Sequence, residues 1–482
     1  MKLRPILYAT GLMTLGLGLF MLPCVVADLG ADRSEWRIFF LLSIMSITIG
    51  GVMALSSRHE NMEIRTHDAF VLTVLLWVFL VLVASAPFFI GFGMSFTDAF
   101  FESMSGLTTT GATIMTGIED YPPSLHLWRS LLQWIGGIGI IVTAIAILPS
   151  LRIGGMQLFQ LESSDNSDKF LPRIGEIAIQ TAYVYLGLSV ICAVLYRTTG
   201  MSAFDSITMS MTTVATGGFA VSDASFAPYV AGGADIIAIV FMCICSLPFG
   251  IMVLTLHGHW RAIFRDPQPA VWLVMAATAT ALITLYVMNQ PNAEIGDEGA
   301  LRMVAFNVVS ILSGTGYGTT DFGLWGPFAS AIFILLMFLG GTAGSASCGI
   351  KTFRVHIAFK AMITYTKQMI RPNQVAHVRY AGKRVTQNTL QSIMIFMFLF
   401  LASFAVLACG LAMTGLDPVT AISAAAASIC NVGPGLGEIV GPAGTFQSLP
   451  DAAKWMCSFA MLLGRLELIS VFVIMSPAFW RD

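Results

Sequence analysis

Ten stretches of this chain stay apolar for about twenty residues each, the length that the hydrocarbon core of a bilayer demands of a spanning helix. They fall roughly at 5–27, 37–56, 69–92, 127–150, 177–197, 235–256, 269–289, 327–343 continuing unevenly past 350, 391–413 and 453–476. The rest of the chain cannot supply a water-soluble surface, because 56% of the 482 residues are hydrophobic and 11% are charged, against ~25% charged in soluble domains. The expected fold is an all-α polytopic membrane protein with ten spanning helices. A net charge of -2 leaves no basic excess, so no nucleic-acid partner is expected. The 8 cysteines lie in apolar or Gly-rich stretches, which argues against a disulfide framework.

The first run follows Lys2 and Arg4 and contains Met21-Leu22-Pro23-Cys24, which resembles a lipoprotein cleavage box. The run exceeds the ~7–15 residues of a signal core, and a second apolar run follows at once, so both are read as spanning helices. Ten crossings put both termini on one side. Most of the 25 Lys and Arg, from Lys2 and Arg4 through Arg58, Arg152, Arg261, Lys351, Arg354 and Lys360 to Arg481, share that side, which marks it as cytoplasmic. The opposite connections hold Arg33, Arg37 and Arg129 among many carboxylates, including Asp98, Glu102, Glu119, Asp205, Asp223 and Asp417.

Four of the outer connections each carry a short apolar segment running into a glycine, at Gly111, Gly217, Gly316 and Gly433, roughly 100 residues apart. Such periodicity indicates a repeated unit. Each unit has a span, a segment too short to cross, a Thr/Val-Gly turn and a second span. Backbone that leaves a helix at membrane depth must be buried in protein or line a watery cavity. Four such turns are accommodated most simply as four pseudo-repeats of helix, re-entrant pore loop and helix around a central pore. The boundaries expected are 1–60 for two N-terminal helices, then 61–160, 161–262, 263–372 and 373–482 for the four units. The second spans also match in Ile135-Gly136-Gly137, Leu339-Gly340-Gly341 and Leu463-Gly464-Arg465, while unit two departs with Ser246-Leu247-Pro248.

Glycine-rich turns in register suit a ring of backbone carbonyls, which can replace the water around a cation without burying a formal charge. The third, Ser313-Gly314-Thr315-Gly316-Tyr317-Gly318, nearly spells the potassium-channel sequence Thr-Val-Gly-Tyr-Gly. With Thr108-Thr109-Thr110-Gly111, Val214-Ala215-Thr216-Gly217-Gly218 and Asn431-Val432-Gly433-Pro434-Gly435, the chain resembles the Trk/Ktr/HKT potassium transporters, and its two extra N-terminal spans are most similar to the bacterial TrkH/TrkG branch.

The resemblance implies K⁺ held in a filter by Thr109, Thr110, Gly111, Ala215, Thr216, Gly217, Gly314, Thr315, Gly316, Asn431, Val432 and Gly433, with no other cofactor. It implies a homodimer of pores in the inner membrane, regulated by a cytoplasmic TrkA-like nucleotide-binding ring. Sodium-preferring members carry serine where this chain has Gly111, so K⁺ is expected to be favoured over Na⁺. Span eight is interrupted by Gly340, Gly341, Gly344, Ser345 and Gly349 before Lys351; the resemblance implies a movable loop under the filter. Close packing through small residues is the alternative. Arg465 lies within the last span, where a charge must face protein or water. It is either a pore charge below the filter or half of a buried ion pair, and Glu467, two residues on, points elsewhere on a 3.6-residue helix.

The basic stretch Lys351 to Arg384 suits either anionic lipid or a regulator. His257-Gly258-His259 is too sparse for a metal site, and no enzymatic motif is present. Potassium uptake through a pore is the leading expectation, and a secondary transporter coupling K⁺ to H⁺ or Na⁺ is the rival. All four units enter from the same side, whereas inverted repeats are the usual mark of coupled transport.

Overall fold

The computed structural model describes residues 3–58, 66–146, 170–290, 299–373 and 376–481. Lys2, Arg152 and the unit boundaries at 60/61 and 160/161 lie outside the described residues. The fold is almost entirely helical. A small hairpin, Arg379–Tyr380 paired antiparallel with Lys383–Arg384, is the departure from the all-α expectation among the described residues.

Two helices, α1 (Leu3–Leu29) and α2 (Trp36–Ser57), form a close antiparallel pair at the N-terminus. Glycine makes the approach possible. A Cβ on Gly11 would stand 2.6 Å from Ala54 N, and one on Gly50 would stand 2.5 Å from Leu15 N. Ser43 Oγ closes the seam by donating to Gly18 O at 2.7 Å.

The helices that follow fall into the four stretches read from the sequence. The first comprises α3 (Thr66–Ala86), the short α4 (Phe96–Leu107) and α5 (Pro123–Ala146). The second comprises α6 (Phe170–Thr198), the short α7 (Ala203–Val214) and the pair α8 (Ala234–Cys245) and α9 (Phe249–Leu256). The third comprises α10 (Pro267–Met288), the short α11 (Ala300–Ser313), α12 (Pro327–Leu339) and α13 (Thr352–Ile370). The fourth comprises α14 (Gln387–Met413), the short α15 (Pro418–Cys430) and the pair α16 (Asp451–Arg465) and α17 (Ile469–Met475).

Among the described residues six helices are individually long and apolar enough to cross a membrane, and eight spans result if the two bent pairs each count once. Ten were expected. The run at 327–343 proves to be a helix of 13 residues that stops at Gly340, and the runs at 235–256 and 453–476 are broken by bends of 93° and 113°. The first bend has a visible cause, since Pro248 cannot donate to the helical ladder. The second turns on Glu467 and Leu468, at φ 55° and 49°, without a glycine or proline at the bend.

Candidate functional site

Three of the four short helices begin with a side-chain cap, whereas α11 begins after Gly299 without one. Ser95 and Ser202 cap the first two by accepting from the backbone N of Asp98 and Asp205, and Asp417 caps the fourth by accepting from Val419 and Thr420 N. Capping at the first turn is worth ~1 kcal/mol and fixes where these three helices begin. Their opposite, C-terminal ends carry the negative pole of the helix dipole, which favours cations. All four C-termini lead into the glycine turns.

The turns repeat one backbone pattern. A left-handed residue comes first, at Thr109 (φ 53°), Thr216 (50°), Gly314 (74°) and Asn431 (54°). Two positions later a left-handed glycine follows, at Gly111 (83°), Gly218 (79°), Gly316 (82°) and Gly433 (101°). Each such glycine lies against the carbonyl oxygen of the next unit. A Cβ on Gly111 would stand 2.3 Å from Gly217 O, one on Gly218 1.9 Å from Thr315 O, one on Gly316 2.0 Å from Val432 O, and one on Gly433 2.7 Å from Thr110 O. The fourth contact returns to the first unit, so the turns close a ring. The four glycines also line a single cavity of about 200 Å³.

This geometry shifts the register read from the sequence in unit two. There the glycine equivalent to Gly111 is Gly218, not Gly217, so Ala215 falls back to the end of its helix and Thr216-Gly217-Gly218 form the turn. The Gly217-Gly218 doublet leaves the sequence ambiguous by one residue, and the backbone pattern together with the contact to Thr315 resolves it.

Side chains brace the ring from behind. Thr108 and Thr110 hydroxyls meet at 2.7 Å, as do those of Ser313 and Thr315. Asn431 Nδ2 donates to Thr110 Oγ1 and to Met461 O, each at 2.9 Å, joining units four and one. Tyr317 OH contacts Thr212 Oγ1 at 2.5 Å, joining units three and two. Gln133 Nε2 donates to Gly217 O at 2.6 Å while its Oε1 accepts from Phe219 N at 3.0 Å. Gly136 and Gly464, paired in the sequence comparison, both pack on the helix that feeds the ring: a Cβ would stand 1.9 Å from Leu107 O and 2.0 Å from Ile429 O.

Beneath the ring, the Gly340–Gly349 segment is a buried loop. Its tip reaches the turns, where a Cβ on Gly314 would stand 3.5 Å from Ser347 Oγ and 3.8 Å from Cys348 N. The bend between α8 and α9 and the start of α10 hold it: Thr342 N and Oγ1 both donate to Ser246 O, Phe249 N donates to Gly344 O, and Ala343 N donates to Gln268 Oε1 on α10. The departure of unit two from the glycine pattern at Ser246-Leu247-Pro248 thus has a role, because the bend exposes carbonyls that the loop uses. Gly341 N binds Ser347 Oγ at 2.9 Å, and Ser345 Oγ binds Thr342 O at 2.7 Å, so the loop is also internally braced.

Among the described residues Arg465 meets no carboxylate. Its guanidinium donates to Ala346 O at 3.3 Å, to Cys348 Sγ at 2.9 Å and to Gly136 O at 2.7 Å. Glu467 pairs instead with Arg354, at the start of α13. Lys351 Nζ donates to Ser347 O. Lys351 and Arg354, counted from the sequence among the cytoplasmic charges, are therefore buried at the root of the loop. Glu102 and Arg129, placed by the sequence in the outer connections, are buried too, and Arg129 lines the cavity of the ring.

These features define a mostly helical multi-pass membrane protein whose four glycine turns converge on one ring. The family model described as TrkH, cation transport protein, matches residues 37–481, and the chain belongs to that family. It is 40% identical over 482 residues to the Trk system potassium uptake protein TrkI of Halomonas elongata, covering 99% of this chain and 97% of that one. It is 33% identical to the Trk system potassium uptake protein TrkH of Escherichia coli strain K12, over the full length of both. The crystal structure of the potassium transporter TrkH from Vibrio parahaemolyticus superposes with a TM-score of 0.92 at 31% identity, covering 100% of both chains.

Proposed function

We propose that this protein takes up potassium across the bacterial inner membrane, with the ring as its selectivity filter. Potassium uptake agrees with the printed names of its relatives. The observation that carries the filter is the closed circuit of four left-handed glycines against four neighbouring carbonyls around one cavity. Thr109 to Gly111, Thr216 to Gly218, Gly314 to Gly316 and Asn431 to Gly433 form the filter, and Ala215 supports it from the helix end. In this reading the chain has ten crossings in four pseudo-repeats after two N-terminal helices, with both termini in the cytoplasm. Backbone oxygens replace the hydration shell of K⁺, and the converging helix C-termini add favourable potential.

The Gly340–Gly349 loop is the gate. It is short of side chains, lies directly under Gly314, and is held by single hydrogen bonds worth ~1 kcal/mol each, which can be exchanged when it moves. Arg465 grips the loop from the last span and sets a positive charge below the filter. A homodimer, a cytoplasmic nucleotide-binding partner acting through α13, and contact of the Lys360 to Arg384 stretch with anionic lipid complete the proposal.

The test is ⁸⁶Rb⁺ uptake into liposomes holding the pure protein at an imposed voltage, with and without a pH gradient. Voltage-driven uptake indifferent to the pH gradient is expected. Uptake that requires the gradient would replace the pore with coupled transport.

A further inference from the structure

Beside Gly111 and Gly218 lies an ion pair whose arginine, Arg129, lines the same cavity as the four ring glycines. Glu102, on α4, and Arg129, on α5, have side-chain exposures of 0% and 1%. Arg129 Nε donates to Glu102 Oε1 at 2.9 Å. The remaining nitrogens reach across two units: Nη1 donates to Ala220 O at 2.9 Å and Nη2 to Thr113 Oγ1 at 3.2 Å. The guanidinium lies over the Phe219 ring, 4.1 Å from its centroid. Glu102 accepts from Thr113 Oγ1 at 3.0 and 3.1 Å and from Ile114 N at 3.0 Å. Thr113 and Ala220 are equivalent, each two residues past the ring glycine of its unit.

Comparison of the four units shows why a strut is needed here. Nine residues before the ring glycine stand Glu102, Met209, Asn307 and Ala424. Asn307 does in unit three what Glu102 does in unit one, donating to Thr319 Oγ1 at 2.9 Å and accepting from Thr319 N at 3.4 Å. Thr319 and Ile114 are again equivalent, three residues past the glycine. Unit four holds its own strand through Gly435 N to Val440 O at 2.6 Å. Met209 has no polar group to hold the strand of unit two, which is gripped from unit one by Arg129 at Ala220 O and by Gln133 at Phe219 N.

A buried ion pair adds little net stability over an apolar pair of the same shape. What it adds is direction: a planar fork of donors whose geometry is fixed. A carbonyl ring discriminates against a smaller cation to the extent that its oxygens resist closing in around it, or keep their number and field. Either way, the outer ends of the strands must stay put.

We propose that Glu102 and Arg129 are positioning residues for ion discrimination, a strut that fixes the distance between units one and two at the outer end of the ring. This rests on reading the ring as the filter. The experiment is the K⁺/Na⁺ permeability ratio, from bi-ionic reversal potentials of the full chain in liposomes, with ⁸⁶Rb⁺ flux and melting temperature on the same preparations. Glu102→Gln keeps shape but removes the charge, and relative Na⁺ permeability should rise about fivefold or more while Rb⁺ flux persists. Arg129→Lys should do the same, because one ammonium cannot reach both Ala220 O and Thr113.

Should Glu102→Gln fail to fold, Thr113→Val, which removes the shared hydroxyl and keeps the pair, should still raise Na⁺ permeability two- to threefold. Gly111→Ser runs alongside. If it shifts the ratio and the folded strut variants only lower the melting temperature, the strut role is overturned and the filter stands. If none of them shifts the ratio, the filter reading fails and the strut falls with it.

Discussion

Arg465 and Glu467 are two residues apart and serve different neighbours. Arg465 closes on the loop through Ala346 and Cys348, whereas Glu467, beyond the end of α16, turns to Arg354. The ion pair belongs to Glu467 and Arg354, and the pore charge proposed for Arg465 carries its own expectation. Replacing Arg465 with Gln removes a repulsion worth ~2 kcal/mol on a cation about 8 Å away at an effective dielectric near 20. Closed-state ⁸⁶Rb⁺ leak should rise at least tenfold, with a smaller fall in melting temperature than in an Arg354 variant, because the lost hydrogen bonds strand no charge. Replacing Arg354 with Gln strands Glu467 and should cost ~3–5 kcal/mol of stability, read as a lowered melting temperature. A stable Arg354 variant together with an unfolding Arg465 variant would reverse these assignments.

At the scale of elements, the loop between α12 and α13 was legible because Gly340, Gly341, Gly344 and Gly349 cannot sustain a stiff helix. What it docks on was not, since the carbonyls of Ser246 and Cys245 become available only where α8 bends. The short helices were likewise legible, and their Ser and Asp caps offered a further signal at Ser95, Ser202 and Asp417. The bend after α16 was hidden, because Glu467 and Leu468 are residue types that rarely adopt positive φ. The Glu102–Arg129 pair was hidden for another reason. Charge counting assigns residues to a side of the membrane, and nothing in a separation of 27 residues announces a shared burial. Removing Gly344 to Ser347 should delete the loop's tip while leaving Thr342 on Ser246. Closed-state Rb⁺ leak should rise about fivefold or more, as expected for losing ~1 kcal/mol of closure. An unchanged leak in a folded protein would make the loop a packing feature instead.

At the scale of the whole molecule, four stretches roughly 100 residues apart in sequence act as one object. The circuit Gly111 to Gly217 O, Gly218 to Thr315 O, Gly316 to Val432 O and Gly433 to Thr110 O has no chain continuity, yet it closes on itself. Serine at any of the four glycines would have to hold a left-handed conformation costing ~1–2 kcal/mol and would push a Cβ into a neighbouring carbonyl. The most direct measurement is therefore the bi-ionic K⁺/Na⁺ reversal potential of Gly111→Ser, Gly218→Ser, Gly316→Ser and Gly433→Ser, each purified, folded and reconstituted beside the parent protein. A K⁺-selective parent is expected, with relative Na⁺ permeability raised roughly tenfold in every variant, Gly218→Ser included. A parent without K⁺ preference, or four folded variants that keep the parent's ratio, would contradict the account.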